Sequence, residues 1–102
     1  TKDKVATAQW PLGYPTIAIN DSLFLKLSKD VKQFIYYHEC AHLKFRNDDE
    51  HMMDCKSIDM LTERHNYSKL DIRKLINSLA KEFGLSKRWS KLLQCDGFQN
   101  AE

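Results

Sequence analysis

Between Phe34 and Leu43 the chain runs through ten residues that include one carboxylate and no lysine or arginine. Val31, Phe34, Ile35, His38, Ala41, His42 and Phe45 recur at the spacing of a single helix face, so the segment reads as a helix with a buried stripe. Two stripe positions are histidines four residues apart, which an α-helix stacks one above the other. The lone acid, Glu39, sits about 100° round the helix from His38. Burying an ionised glutamate there is expensive unless something compensates it. A divalent cation on the same helix supplies that compensation.

His38-Glu39-Cys40-Ala41-His42 is thus a His-Glu-x-x-His sequence on a helix. The spacing lets two neutral imidazoles reach one metal ion at about 2.0–2.1 Å each. It also lets Glu39 accept a proton from a water on that metal. The competing reading is a core helix with two hydrogen-bonded histidines and a glutamate reaching for solvent. A catalytic zinc takes three protein ligands and keeps one position open. Candidates downstream are Asp48, Asp49, Glu50, His51, Asp54 and His65. A second helix is predicted over about 49–65, with Glu50, Asp54, Ile58, Leu61 and His65 on one stripe. His65 would lie about 22 Å along that helix from Glu50, too far to share its metal. Glu50 can ligate while Asp54, one turn on, hydrogen-bonds a ligand imidazole and fixes its tautomer. Both acids also suit the first turn of a helix, where the dipole favours negative charge.

The two segments together resemble the gluzincin metallopeptidases. His38-Glu39-Cys40-Ala41-His42 is similar to their first motif. Glu50-His51-Met52-Met53-Asp54 is similar to the Glu-x-x-x-Asp second motif of the HtpX-like branch and of ImmA/IrrE-type peptidases. The resemblance covers roughly residues 16–62. It implies that His38, His42 and Glu50 hold Zn2+, that Glu39 is the general base, and that Asp54 supports a ligand from behind. It also implies a strand beside the cleft, matched here by residues 16–20. The expected activity is hydrolysis of a peptide bond in a peptide or protein substrate by a metal-activated water. Tyr14, Tyr36, Tyr37, Tyr67 and Arg73 have suitable chemistry for the oxyanion donor.

The expected fold is a single small zincin-like domain over 1–102, α+β and mostly helical, with an N-terminal β-hairpin or edge strand and about four helices. Residues 4–10 and 16–20 are β-compatible, and 11–15 between them form a turn. Residues 22–27 suit a short helical turn. The motif helix is predicted over about 29–46 with Ser28 as N-cap, and Asn47-Asp48-Asp49 ends the pattern. Ser68 with Asp71 resembles a capping box opening a helix with Ile72, Leu75, Ile76, Leu79 and Phe83 inward, and Gly84 is a natural stop. A last helix from Ser86 to about Cys95 buries Trp89, Leu92 and Leu93, and the tail beyond it is expected to fray.

Composition narrows the partners. A net charge of +2 argues against nucleic acid or a membrane surface as the main partner. No apolar run approaches the ~18 residues of a membrane span. The chain starts at Thr1 with no secretory h-region, compatible with a processed form or a fragment and with either a cytoplasmic or an exported protein. Cys55 and Cys95 would pair in an oxidising compartment, and Cys40 reads as a small buried hydrophobe. Two rival functions remain open. One is a catalytically inactive metal-binding or regulatory protein-interaction domain, which the presence of Glu39 disfavours. The other is a helix-turn-helix DNA-binding module over 68–95, with Lys81, Lys87, Arg88 and Lys91 on phosphates.

Overall fold

The charge-poor segment forms α2 (Lys29–Phe45), the longest helix of the computed structural model, which describes residues 4–46 and 49–102. Asn47 and Asp48, expected to break the helical pattern, lie outside the described residues. Before α2 come β1 (Ala6–Gln9), a 3-10 turn (Pro11–Gly13), β2 (Thr16–Ile19) and the single turn α1 (Asp21–Phe24). After it come α3 (Glu50–His65), α4 (Lys69–Phe83), α5 (Lys87–Ser90), a second 3-10 turn (Lys91–Gln94) and α6 (Asp96–Gln99). The fold is therefore α+β and mostly helical, as the sequence implied. The hairpin forms where expected, because Gly13 takes the left-handed φ of +83° that the turn requires.

The hairpin register decides which strand edge faces the helices. Ala6 pairs with Ile19 and Ala8 with Ile17, while Asn20 N–H donates to Val5 O at 2.8 Å. Antiparallel pairs alternate between hydrogen-bonded and non-hydrogen-bonded. Val5, Thr7 and Gln9 therefore turn their backbone groups towards β2, and Ala6 and Ala8 turn theirs away from it. The outward edge of β1 lies against α2.

The core is shared by Val31 and Phe34 of α2, Ile58 and Leu61 of α3, Ile72, Leu75 and Leu79 of α4, and Trp89, Leu92 and Phe98 beyond. Buried Ser57 fastens α3 to α2 by donating to Phe34 O at 2.7 Å. The Ser68–Asp71 capping box forms in full and Gly84 closes α4 with φ +90°.

Local expectations fail at five places, one being Phe83, expected inward on α4 but 43% exposed. Ser28 occupies the N-cap position, but its hydroxyl donates to Asp30 Oδ1, and that carboxylate takes the Val31 N–H instead. Phe45, placed on the buried stripe, is 42% exposed because the helix runs past the core there. Residues 87–95 form one α turn and one 3-10 turn rather than a continuous helix. The tail does not fray: α6 carries buried Phe98 back onto α3, and Gly97 makes room, since a Cβ there would meet Asp59 Oδ1 at 2.6 Å. Phe98→Ala should therefore cost about 3–5 kcal/mol, measured by urea unfolding; a change under ~1 kcal/mol would mean that the tail is not docked.

Candidate metal centre

α2 presents His38 and His42 to the N-terminal turn of α3, and the first residue of that turn is Glu50. Asp49 holds the turn in place as N-cap, accepting the Met52 N–H at 3.0 Å. The two imidazole Nε2 atoms lie 3.1 Å apart. Glu50 closes the triangle, with Oε1 2.7 Å from His42 Nε2 and Oε2 3.1 Å from His38 Nε2. Three ligands on a tetrahedral ion at ~2.0–2.1 Å stand about 3.3–3.4 Å from one another. The observed separations need open by only a few tenths of an ångström to admit one.

Behind this triangle lies a chain of charges. His38 Nδ1 is 2.7 Å from Oδ1 of Asp54, an off-line approach for a hydrogen bond, and Nδ1 has no other partner among the described residues. Asp54 is fully buried and is gripped at both oxygens by Arg88, with Nε and Nη2 each donating at 2.8 Å. Burial pushes the Asp54 carboxyl up, but the Arg88 and His38 contacts outweigh it and hold it below the usual carboxylate range. Burial likewise opposes a charge on His38, yet Asp54, Glu50 and Glu39 together raise its pKa. A proton on Nδ1 leaves the Nε2 lone pair facing His42 and Glu50, the tautomer a metal ligand needs.

Glu39 is held from the other side. Its Oε1 accepts the Ala8 N–H at 2.8 Å, and its Oε2 lies 3.8 Å from His38 Nε2. With neutral imidazoles, the carboxylates of Glu39, Glu50 and Asp54 against the single guanidinium of Arg88 sum to −3 + 1 = −2. A divalent cation cancels that sum. The residues fit the ion on charge, donor type and spacing alike.

A cleft of about 870 Å³ runs over this cluster between β1 and the α4–α5 corner. The structure brings His38, Glu39, His42, Glu50 and Asp54 together as the sequence suggested. It does not bring in His65, whose Nε2 sits 2.8 Å from Tyr37 Oη, and Asp48 lies outside the described residues. The strand at Glu39 is β1, not residues 16–20, because the hairpin turns its first strand towards α2. None of the proposed oxyanion tyrosines lines the cleft; Tyr37 is tied to His65 and Tyr67 to Gln33, and Arg73 lies over the Phe98 ring. Sequence reasoning misses Arg88 in this role and offers it only as a phosphate contact under the DNA-binding alternative. A second group of three potential ligands, His51, Cys55 and Cys95, also exists, but its two sulfurs are joined to each other. Comparison with protein-family models, with curated proteins and with solved structures finds no match for this chain.

His38→Ala or His42→Ala should abolish binding of one zinc per chain, read by elemental analysis after dialysis. Glu50→Gln should weaken zinc more than Asp54→Asn, whose loss should be about 10–100-fold, and His51→Ala should change nothing. Arg88→Met leaves the Asp54 charge buried and unpaired, and should lower unfolding free energy by about 3 kcal/mol in urea. An unchanged midpoint would remove Arg88 from this role.

Proposed function

We propose that the protein is a zinc metallopeptidase that hydrolyses peptide bonds in peptide or protein substrates. The observation that carries this reading is the convergence of His38, His42 and Glu50 in an open cleft, with one oxygen of Glu39 aimed at them. Zinc bound there would supply a Lewis acid and lower the pKa of a water. Glu39 would serve as the base that accepts a proton from the attacking water and passes it to the leaving amine. Its Oε1 is anchored on Ala8, so Oε2 is the proton-accepting atom. Asp54 and Arg88 keep the His38 ring oriented during the reaction. Arg88 lines the cleft beside Glu50, 3.9 Å from Nη2 to Oε2, and is the side chain placed to donate to a developing oxyanion.

The joined Cys55 and Cys95 favour an oxidising compartment for the protein. No helix among the described residues is long and apolar enough to cross a membrane. The DNA-binding reading loses its recognition element, since α5 is four residues long and Arg88 is engaged by Asp54. A metal-binding domain without catalysis is the second reading, and the Ala8–Glu39 hydrogen bond favours it to the extent that it occupies the base.

Glu39→Gln separates the two. The zinc-loaded variant should retain its metal and fold yet lose hydrolysis of a mixed peptide library, followed by mass spectrometry. An amide cannot take the water's proton, and the loss should be at least 10²-fold. Undiminished cleavage by the variant would refute the mechanism. No cleavage by the zinc-loaded native chain would favour the binding-domain reading.

A further inference from the structure

The cleft has two chemically different ends, and α2 lays them out in line. Phe34, His38, His42 and Arg46 follow one another at four-residue steps on the helix, and all four line the cleft. Each step advances about 6 Å. Phe34 and Arg46 therefore stand about 9 Å either side of the midpoint of the metal-binding pair. At the Phe34 end the walls are Leu79, Phe83 and Trp89, with Leu79 and Trp89 buried and Phe83 43% exposed. At the other end Arg46 caps α2, and its guanidinium lies 3.9 Å from the centroid of the Trp10 ring. Arg46 has no carboxylate partner among the salt bridges of the described residues.

Two anchors fix how β1 lies along this line. Ala8 touches Glu39 and Trp10 touches Arg46, so β1 runs in the same direction as α2. A peptide added to the outward edge of β1 in the slightly stronger antiparallel sense runs the other way. Its N-terminal part then lies at Arg46 and its C-terminal part in the pocket of Phe34, Leu79, Phe83 and Trp89.

From this layout we infer that the cleft selects an extended peptide with an acidic residue on the N-terminal side of the metal centre and a bulky apolar residue on the C-terminal side. The two selected residues are separated by about 18 Å along the helix, or roughly five residues of extended chain. Arg46, exposed and stacked on Trp10, supplies the cation for the acid. Phe83, the exposed member of the apolar wall, supplies apolar surface for a leucine- or phenylalanine-sized side chain. Lys4, exposed on the rim, adds positive charge and favours acidic over basic peptides generally. The inference rests on the metallopeptidase reading only for the placing of the scissile bond between the two ends.

Binding tests the inference without requiring hydrolysis. Both tryptophans of the chain line the cleft, so their fluorescence reports occupancy. The zinc-loaded Glu39→Gln chain is titrated with blocked, otherwise glycine- and serine-based peptides in which Glu precedes Leu by roughly five residues. Glu→Lys in the peptide should weaken binding about tenfold at low salt, and Leu→Gly by a similar factor. The reversed peptide, Leu before Glu, should also bind worse. Arg46→Glu should reverse the Glu-over-Lys order, with a zinc content that matches the parent's. Equal affinities for the Glu and Lys peptides, a preference that survives Arg46→Glu, or no binding of any peptide would overturn the inference. Selective binding without cleavage by the native chain would retain the inference and discard hydrolysis. Cleavage without charge preference would do the opposite.

Discussion

Asp54 is a charge with no access to water, and the arrangement of the helices around it follows from the need to satisfy that charge. It stands on α3, its guanidinium partner is on α5, and its imidazole partner is on α2. An isolated carboxylate at that depth would be neutralised or expelled. Paired with Arg88 through two parallel hydrogen bonds it remains ionised and fixed in direction. Three helices are thereby held to one geometry at the point where a bound metal would need its ligands fixed to within a few tenths of an ångström. Such an ion pair adds little net stability over a hydrophobic trio of the same volume. Its contribution is orientation.

The Cys55–Cys95 link reinforces the same contact. Cys55 follows Asp54 by one residue, and Cys95 lies seven residues after Arg88. The chain segment that delivers Arg88 is therefore tied to α3 beside the carboxylate Arg88 must reach. Closing a loop across a sequence separation of 40 also restricts the unfolded chain, an effect worth about 3–4 kcal/mol in the entropic model. α5, the 3-10 turn and α6 are each a single turn, too short to be stable alone. They depend on this link and on the burial of Trp89, Leu92 and Phe98.

What could be read in the sequence was what repeats locally. His38, Glu39 and His42 stood out because helical spacing places them without any knowledge of the tertiary structure, and Glu50 and Asp54 because they continue an apolar stripe. Arg88 was illegible for the converse reason. Its partner is 34 residues away, and in Lys87-Arg88-Trp89-Ser90-Lys91 it resembles any solvated basic turn. The strands were visible as β-compatible segments, but their order against α2 depends on which way the hairpin folds over, and alternation does not encode that. α6 has too few residues to show a period, so only the isolated Phe98 beside Gly97 hinted that the tail returns to the core.

The edge of β1 imposes a last constraint. Ala6 is buried and Ala8 half-buried, and their small side chains let the strand come close enough to α2 for a backbone N–H to meet Glu39. One N–H makes one strong hydrogen bond. Ala8 therefore cannot anchor Glu39 and pair with an added strand at the same time. Pairing of a peptide along this edge past Ala8 would release Oε1 of Glu39. On the metallopeptidase reading, the carboxylate that the hairpin holds would be freed by the same chain that brings it a peptide bond. Occupancy of the edge and the freedom of Glu39 would thus be coupled through a single backbone hydrogen.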